Sequence, residues 1–334
     1  MDFTTSMCPE CYKAIPAVID LSDKVYIYKK CDEHGEFRGI VESSAQWYLT
    51  CKRLGCTNIY DGYLIDVTGK CNIKCKYCYH ERDGKHIDSN IIIEEALTHK
   101  ELAPFVLVGG EPTLHPELTR ICEKLSNAGE VIILTNGIMD EDLLDSLMPY
   151  INHDGTIGIG LSFHKESNGA DLEFIRLCRI KKLKIGTALW VIDDLDQIPE
   201  VIDTFKKNSD VICNMRIKAA SNLGVEDKAG NKIFVSDMLK FLGSIGNVRL
   251  NLESNNKLSF ADTTFDGLHT MLVSWYDVWN VDLNDINCPP WYRAKDGNLY
   301  NFVTAALINE GYHKRSQNSA GCESRGRVHE AVRG

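Results

Sequence analysis

The chain has 334 residues, of which 44% are hydrophobic and 25% charged, enough apolar material for a sizeable core in a globular protein. A formal net charge of -10 argues against a broad grip on nucleic acid, and no uninterrupted apolar run approaches the roughly 20 residues of a membrane span. The start, Met1-Asp2-Phe3-Thr4-Thr5, lacks the basic and apolar regions of a secretory signal, so a cytoplasmic location is expected. In that reducing compartment, 13 cysteines are better explained by bound metal than by disulfides.

A first region, about 1–58, carries Cys8, Cys11, Cys31, Cys51 and Cys56 around a β-rich stretch, Lys24-Val25-Tyr26-Ile27-Tyr28. So short a region needs a metal or a docking surface to fold. Cys8-Pro9-Glu10-Cys11 is a C-x2-C knuckle and Cys31-Asp32-Glu33-His34-Gly35 a C-x2-H knuckle, with 19 residues between them. Paired knuckles joined by a hairpin make a tetrahedral site, here Cys8, Cys11, Cys31 and His34, for zinc or a single rubredoxin-like iron. The residues alone do not choose the metal.

A second region, 59–246, alternates short apolar runs with amphipathic stretches. Strands are expected over 62–68, 105–108, 131–135, 157–162, 184–191 and 212–218. Helices are expected over 89–102, 116–128, 140–151, 168–181, 195–207 and 235–245, with Asp88-Ser89 and Asp140 as N-caps. Six β-then-α units imply a parallel α/β sheet, either an open doubly wound sheet or an incomplete barrel, with ligands at the C-terminal ends of the strands.

A third region, 247–334, shows strand patterns over 247–253, 257–260 and 270–281, a helix over 301–310 and a polar tail after Tyr312. It is expected to lid the mouth of the second region and to set specificity. Trp275-Tyr276, Trp279 and Trp291-Tyr292 could supply a flat apolar contact or simply pack a small sheet.

The first strand of the second region runs into Cys71-Asn72-Ile73-Lys74-Cys75-Lys76-Tyr77-Cys78, a C-x3-C-x2-C spacing with an aromatic before the third cysteine. Thiolates are soft ligands suited to iron–sulfur chemistry. Three of them fill three irons of a cubane and leave the fourth open; a zinc site or three packed cysteines are the plainer readings. One β/α unit later, the second strand runs into Gly109-Gly110-Glu111-Pro112, whose glycines let backbone approach a ligand closely.

Together these motifs resemble the radical S-adenosylmethionine (SAM) superfamily. The resemblance implies a partial (β/α)6 barrel and a 4Fe–4S cluster on Cys71, Cys75 and Cys78. It further implies SAM chelated to the open iron and cleaved reductively to a 5′-deoxyadenosyl radical. It places Tyr77 near the adenine and Gly109, Gly110, Glu111 and Pro112 at the methionine end of SAM. Asn136 in Thr135-Asn136-Gly137, Ser162 at the end of the fourth strand and Arg216 on the sixth are expected to line the SAM site. Lys218 shares the parity of Arg216 and so faces the same side. A reductant such as flavodoxin or ferredoxin is the implied protein partner.

The N-terminal knuckles ahead of such a core are similar to an archaeal group that includes tetraether lipid synthase and a methanopterin-type methyltransferase. Members of that group carry further cysteines where Cys51 and Cys56 stand, which implies an auxiliary cluster there. The likeness covers roughly the first 220 residues, and the region after 250 has no counterpart, so a lipid or pterin substrate is not carried over.

Cys122, Cys178 and Cys213 are expected in the core, whereas His80, Glu81-Arg82-Asp83 and Glu101 are expected to be solvated. His164 and Lys165 could touch substrate. Cys288 and Cys322 do not form the dense array of a peptide-modifying enzyme. The expected function is radical chemistry on a small or medium organic substrate. A glycyl-radical activating enzyme, a peptide-modifying maturase and an iron–sulfur redox sensor are the alternatives.

Overall fold

The computed structural model describes residues 2–54, 62–151, 158–221, 223, 232–252, 257–285 and 290–314; Cys56, Cys288, Cys322 and the polar tail from 315 lie outside the described residues. The chain opens with an antiparallel meander of β1 (Asp2–Met7), β2 (Ala14–Leu21), β3 (Val25–Cys31) and β4 (Gly35–Glu42), paired in that order. Alternating buried and exposed positions along β2 and β3 are the period-2 signature of a sheet with one covered face. α1 (Ala45–Leu54) follows and buries Trp47, Tyr48 and Cys51.

The second region delivers all six expected β/α units. They are β5 (Tyr63–Thr68), α2 (Ser89–Thr98), β6 (Phe105–Gly109), α3 (Leu118–Ser126), β7 (Val131–Thr135), α4 (Glu141–Leu147), β8 (Ile159–Phe163), α5 (Ala170–Ile180), β9 (Ile185–Ile192), α6 (Ile198–Lys207), β10 (Ile212–Ala219) and α7 (Val235–Ile245). The six strands are parallel and lie side by side in chain order, β5 to β10, without the reversal that defines a doubly wound sheet. Right-handed crossovers without a reversal put every helix on one face, so the other face is concave, as in a partial barrel. Asp88 caps α2 by accepting from the Asn90 amide at 2.8 Å, whereas Asp140 sits before α4 in extended backbone and makes no side-chain cap bond.

Residues after 246 extend this sheet at both ends. On the β10 side it continues through β13 (Leu268–Val273, parallel), β12 (Phe260–Phe265) and β11 (Val248–Leu250). On the β5 side it gains β14 (Trp291–Arg293, parallel to β5) and β15 (Leu299–Asn301), followed by α8 over 302–314. The expected strands over 257–260 and 270–281 therefore shift to a tight hairpin turning at Asp266-Gly267, where both residues take positive φ.

The meander shares a core with the main sheet. Ser6 Oγ donates to the Val281 carbonyl at 2.6 Å, Lys29 Nζ to the Val278 carbonyl at 2.5 Å, and Asn280 Nδ2 to the Ile40 carbonyl at 3.0 Å. Its docking surface is thus the 278–283 segment, with Tyr12 reaching Glu310 of α8 at 2.8 Å. Cys122 and Cys178 are buried as expected, but Cys213 is exposed, because it lies near the N-terminal end of β10 at the sheet margin. Among the described residues no helix is long and apolar enough to cross a membrane.

Candidate functional site: two cysteine centres

The β1–β2 turn brings Cys8 and Cys11 to the end of the meander, and the β3–β4 turn brings Cys31 and His34 to the same point. All four ligand atoms lie within 4.8 Å of one another, with Cys31 Sγ 3.4 Å and Cys8 Sγ 3.7 Å from His34 Nδ1 and Cys11 Sγ 4.0 Å from Cys31 Sγ. Tetrahedral zinc with Zn–S of about 2.3 Å needs ligand–ligand edges of about 3.5–3.8 Å, so these donors reach that geometry with small side-chain shifts. The His34 ring holds the Cys31 thiol down to about 7, which readies it for deprotonation.

Cys51 stands apart from this group, buried in the core on α1 with its thiol pushed up to about 12 by burial. Its expected companion Cys56 is outside the described residues.

The second centre is the 69–87 loop at the C-terminal end of β5. Its neck is closed by backbone bonds from Gly69 N to the Lys85 carbonyl (2.7 Å) and from Ile87 N to the Val67 carbonyl (3.1 Å). A register shift between Asp66 and Thr68 bends β5 just before the loop, a device that re-aims chain at strand ends. Cys71, Cys75 and Cys78 are all half-buried. Burial raises Cys71, and burial together with the charges of Cys78, Glu166 and Cys71 takes Cys75 up to about 12. Such thiols stay protonated until a metal displaces the proton. Three soft donors on one short loop suit a cubane cluster, whose sulfurs stand further apart than the ligands of a single ion; of the three, Cys75 Sγ lies within 4.8 Å of His164 and Glu166 at the end of β8.

The Gly-Gly-Glu-Pro turn engages this loop through its amides. Gly109 has φ +130°, and a Cβ there would fall 2.4 Å from the Thr68 carbonyl oxygen; one on Gly110 would fall 2.0 Å from that of Lys70. Only glycine admits this approach, which lets Gly110 N donate to Thr68 O (2.6 Å) and Glu111 N to Lys70 O (2.7 Å). Pro112 opens a one-turn 3₁₀ helix behind it.

Glu111 is 2% exposed, and its carboxylate accepts from Thr113 N (3.1 Å), Thr113 Oγ1 (2.8 Å), Thr135 Oγ1 (2.8 Å) and Asn136 N (2.8 Å). Three of these donors reach Oε1 and one reaches Oε2. The side chain therefore ties β6 to the end of β7. Burial raises its pKa against the opposing pull of those hydrogen bonds. Asn136 carries the link onward, donating through Nδ2 to Asn72 Oδ1 at 2.7 Å inside the cysteine loop. Arg82 donates to the Ile73 carbonyl at 3.1 Å, so it braces the loop and is not the solvated residue expected. His80 likewise turns inward, 3.6 Å from Asp66.

The other expected residues ring the concave face. Tyr77 bridges the mouth to the end of β9, its hydroxyl donating to Asp193 at 2.8 Å. Ser162 pairs in register with Leu189, Leu189 with Arg216 and Arg216 with Met271, so one row crosses β8, β9, β10 and β13 on the same face. His164 is largely buried beside it, and burial lowers its pKa.

Sequence reasoning passed over what surrounds Lys218, one inward position further along β10. Lys218 is 6% exposed; its ammonium sits 3.2 Å above the Trp275 ring and 5.9 Å from Tyr79. Trp275, Tyr79 and Phe302 of α8 pack together with centroids 4.6 to 5.7 Å apart. Burial brings Lys218 down to about 7. A cation–π contact returns about 2 kcal/mol, less than the several kcal/mol that desolvating an ammonium costs. On the β5 side, Tyr292 donates to Asp66, and its ring packs on Phe302 at 5.8 Å. Parity exposed the direction of Lys218, but its aromatic neighbours come from distant chain.

In a mainly parallel partial β/α barrel, ligands sit at the C-terminal strand ends, where these cysteines are. Residues 65–164 match the Radical SAM superfamily, and residues 1–43 match the HMPTM N-terminal zinc ribbon domain. A putative glycyl-radical enzyme activating enzyme of Methanocaldococcus jannaschii is 30% identical over 199 residues, covering 54% of this chain and 78% of that protein. The 7,8-dihydro-6-hydroxymethylpterin dimethyltransferase of the same organism is 32% identical over 173 residues, 40% of this chain and only 34% of that protein. Streptococcus suis SuiB bound to its precursor peptide SuiA shares the fold at a TM-score of 0.52 and 12% identity, over 79% of this chain and 64% of that one. The chain belongs to the radical SAM superfamily and carries a zinc ribbon domain at residues 1–43, and it spans about a third of the length of the dimethyltransferase it matches.

Proposed function

We propose that Cys71, Cys75 and Cys78 hold the 4Fe–4S cluster and that the concave face of the barrel presents a small or medium organic substrate to it. The observation that carries this reading is the convergence of the cysteine loop, Gly109–Gly110, Asn136, Ser162 and Tyr77 on the C-terminal ends of successive strands. When bound, the cluster supplies the electron that cleaves SAM to methionine and a 5′-deoxyadenosyl radical, which takes a hydrogen atom from substrate. The amides of Gly110 and Glu111 are engaged by the cysteine loop, so the carbonyl side of the turn is what remains for the methionine ammonium. Ser162 and Arg216 share a row and would meet the carboxylate or ribose of SAM, while Tyr77 closes over the adenine. Glu111 acts as a positioning residue through Asn136. Cys8, Cys11, Cys31 and His34 form a separate structural zinc site.

Two features favour a compact substrate over a protein partner. The aromatic group of Tyr79, Trp275 and Phe302 walls the concave face, and the face itself carries Asp66, Arg216 and Lys218. The 247–334 extension would thus act on specificity as a wall continuous with the sheet. The test is anaerobic cluster reconstitution followed by SAM and dithionite, with 5′-deoxyadenosine measured by mass spectrometry. The wild type is expected to form it and a Cys71→Ala/Cys75→Ala/Cys78→Ala variant is not; equal amounts from both would refute the assignment.

A further inference from the structure

We infer that Lys218, with Trp275 and Tyr79, is the subsite that receives an oxyanion of the substrate, a carboxylate or a phosphate. The inference rests on the radical SAM reading above. Its basis is a buried ammonium held over an indole ring at 3.2 Å, with no carboxylate within ion-pair distance among the described residues. A cation kept out of water, touched by ring faces and subject to the opposed charges of Cys78 and Arg216, lacks a hydrogen-bonded anion, and an entering oxyanion supplies that partner. The aromatic walls add flat apolar contact beside the charge, which suits a ligand with an unsaturated or ring-bearing body.

The sheet order separates this subsite from the turn expected at the methionine ammonium of SAM, while Arg216 brings the SAM carboxylate or ribose to the neighbouring position of the same strand. Gly109, Gly110 and Asn136 stand at the ends of β6 and β7, whereas Lys218 is on β10, four strands from β6 in the sheet order β10-β9-β8-β7-β6. Its walls are also this chain's own, since Trp275 and Phe302 both lie beyond residues 65–164, which match the superfamily. Arg216 occupies the preceding inward position and continues the row toward Ser162, so one cation is placed for each ligand. SAM carries a carboxylate of its own, and the experiment must separate the two sources.

Benzoate, phenyl phosphate and neutral benzamide would be titrated calorimetrically into the cluster-loaded protein in the presence of SAM. Benzoate or phenyl phosphate should bind at least tenfold more tightly than benzamide. Lys218→Met keeps the apolar stem but should erase that preference, and Lys218→Arg should retain most of it. Equal binding of the three ligands, or a preference that survives in Lys218→Met, would overturn the inference. In the same samples, the SAM-induced change in the electron paramagnetic resonance of the reduced cluster should half-saturate within threefold of the wild-type SAM concentration in Lys218→Met. A tenfold rise would mean that SAM's own carboxylate is the anion and would also overturn it. A wild-type cluster indifferent to SAM would count against the broader reading instead, and is scored separately.

Discussion

The zinc ribbon and the 69–87 loop both gather cysteines, yet they are built on opposite plans. In the ribbon, four donors sit on two hairpin turns, within 4.8 Å, and the set is complete. In the loop, three donors sit on one irregular segment, and remote residues hold it: Gly110 and Glu111 from β6, Asn136 from β7, Tyr77 bonding across to Asp193. A closed set can only stabilise, whereas an open set, braced from outside, leaves a position for chemistry. The contrast predicts that damage to the first will be felt in folding and damage to the second in turnover.

The largest effect should separate the two cleanly. Cys75→Ala should lower 5′-deoxyadenosine formation by more than about 10³-fold with little change in thermal stability, since a cofactor carries the hard step. Cys31→Ser, or chelation of the ribbon metal, should do the reverse. Hydrogen exchange should lose protection over residues 2–43 while β5–β10 keep theirs, because structural zinc contributes about 10–16 kcal/mol in isolated fingers. Loss of protection in β5–β10 as well would show that the two regions fold as one unit.

Glu111→Ala should blur the contrast by design. It strands two hydroxyls and two amides inside the fold, so a destabilisation of about 3 kcal/mol is expected in denaturant titration, together with weaker cluster loading. Stability unchanged would show that the braces are not needed. The pH dependence of ribbon docking tests a second buried carboxylate. Glu42 is 1% exposed, accepts from Ser236 Oγ and Ser44 N, and is raised to about 7 chiefly by burial. A raised carboxyl contributes stability that is complete below its unfolded pKa near ~4.5 and is lost as pH rises through about 7, by up to ~3 kcal/mol. Glu42→Gln should flatten that part of the pH–stability curve; an unchanged slope would assign it elsewhere. Smallest of all, Tyr77→Phe removes one hydrogen bond to Asp193 and should raise the KM for SAM less than about tenfold.

The β/α series was legible because each strand is a compact apolar run between amphipathic helices, and the knuckles because ligand spacing survives in linear sequence. The hairpin of β12 and β13 was legible in Phe265-Asp266-Gly267-Leu268, an Asp-Gly turn signal between two strand runs, but the strands were read on either side of the wrong boundary. The tie from Glu111 to β7 was not legible because Thr135 and Asn136 are close to it only in space. His80 and Arg82 looked solvated for the same reason: Asp66 and the Ile73 carbonyl meet them only when the loop closes. Lys218 was placed on the correct face by parity, but nothing local foretells that Trp275 will cover it. Short-range periodicity builds the scaffold, while tertiary partners assign the roles.

The central claim is that the three-cysteine loop leaves one iron open for SAM. The most direct measurement is electron–nuclear double resonance on the reduced, reconstituted protein with SAM labelled at its amino nitrogen and carboxylate oxygen. Hyperfine coupling from both labels is predicted, and it should vanish in the variant lacking Cys71, Cys75 and Cys78. A fully loaded cluster that shows no coupling to either label would contradict the account.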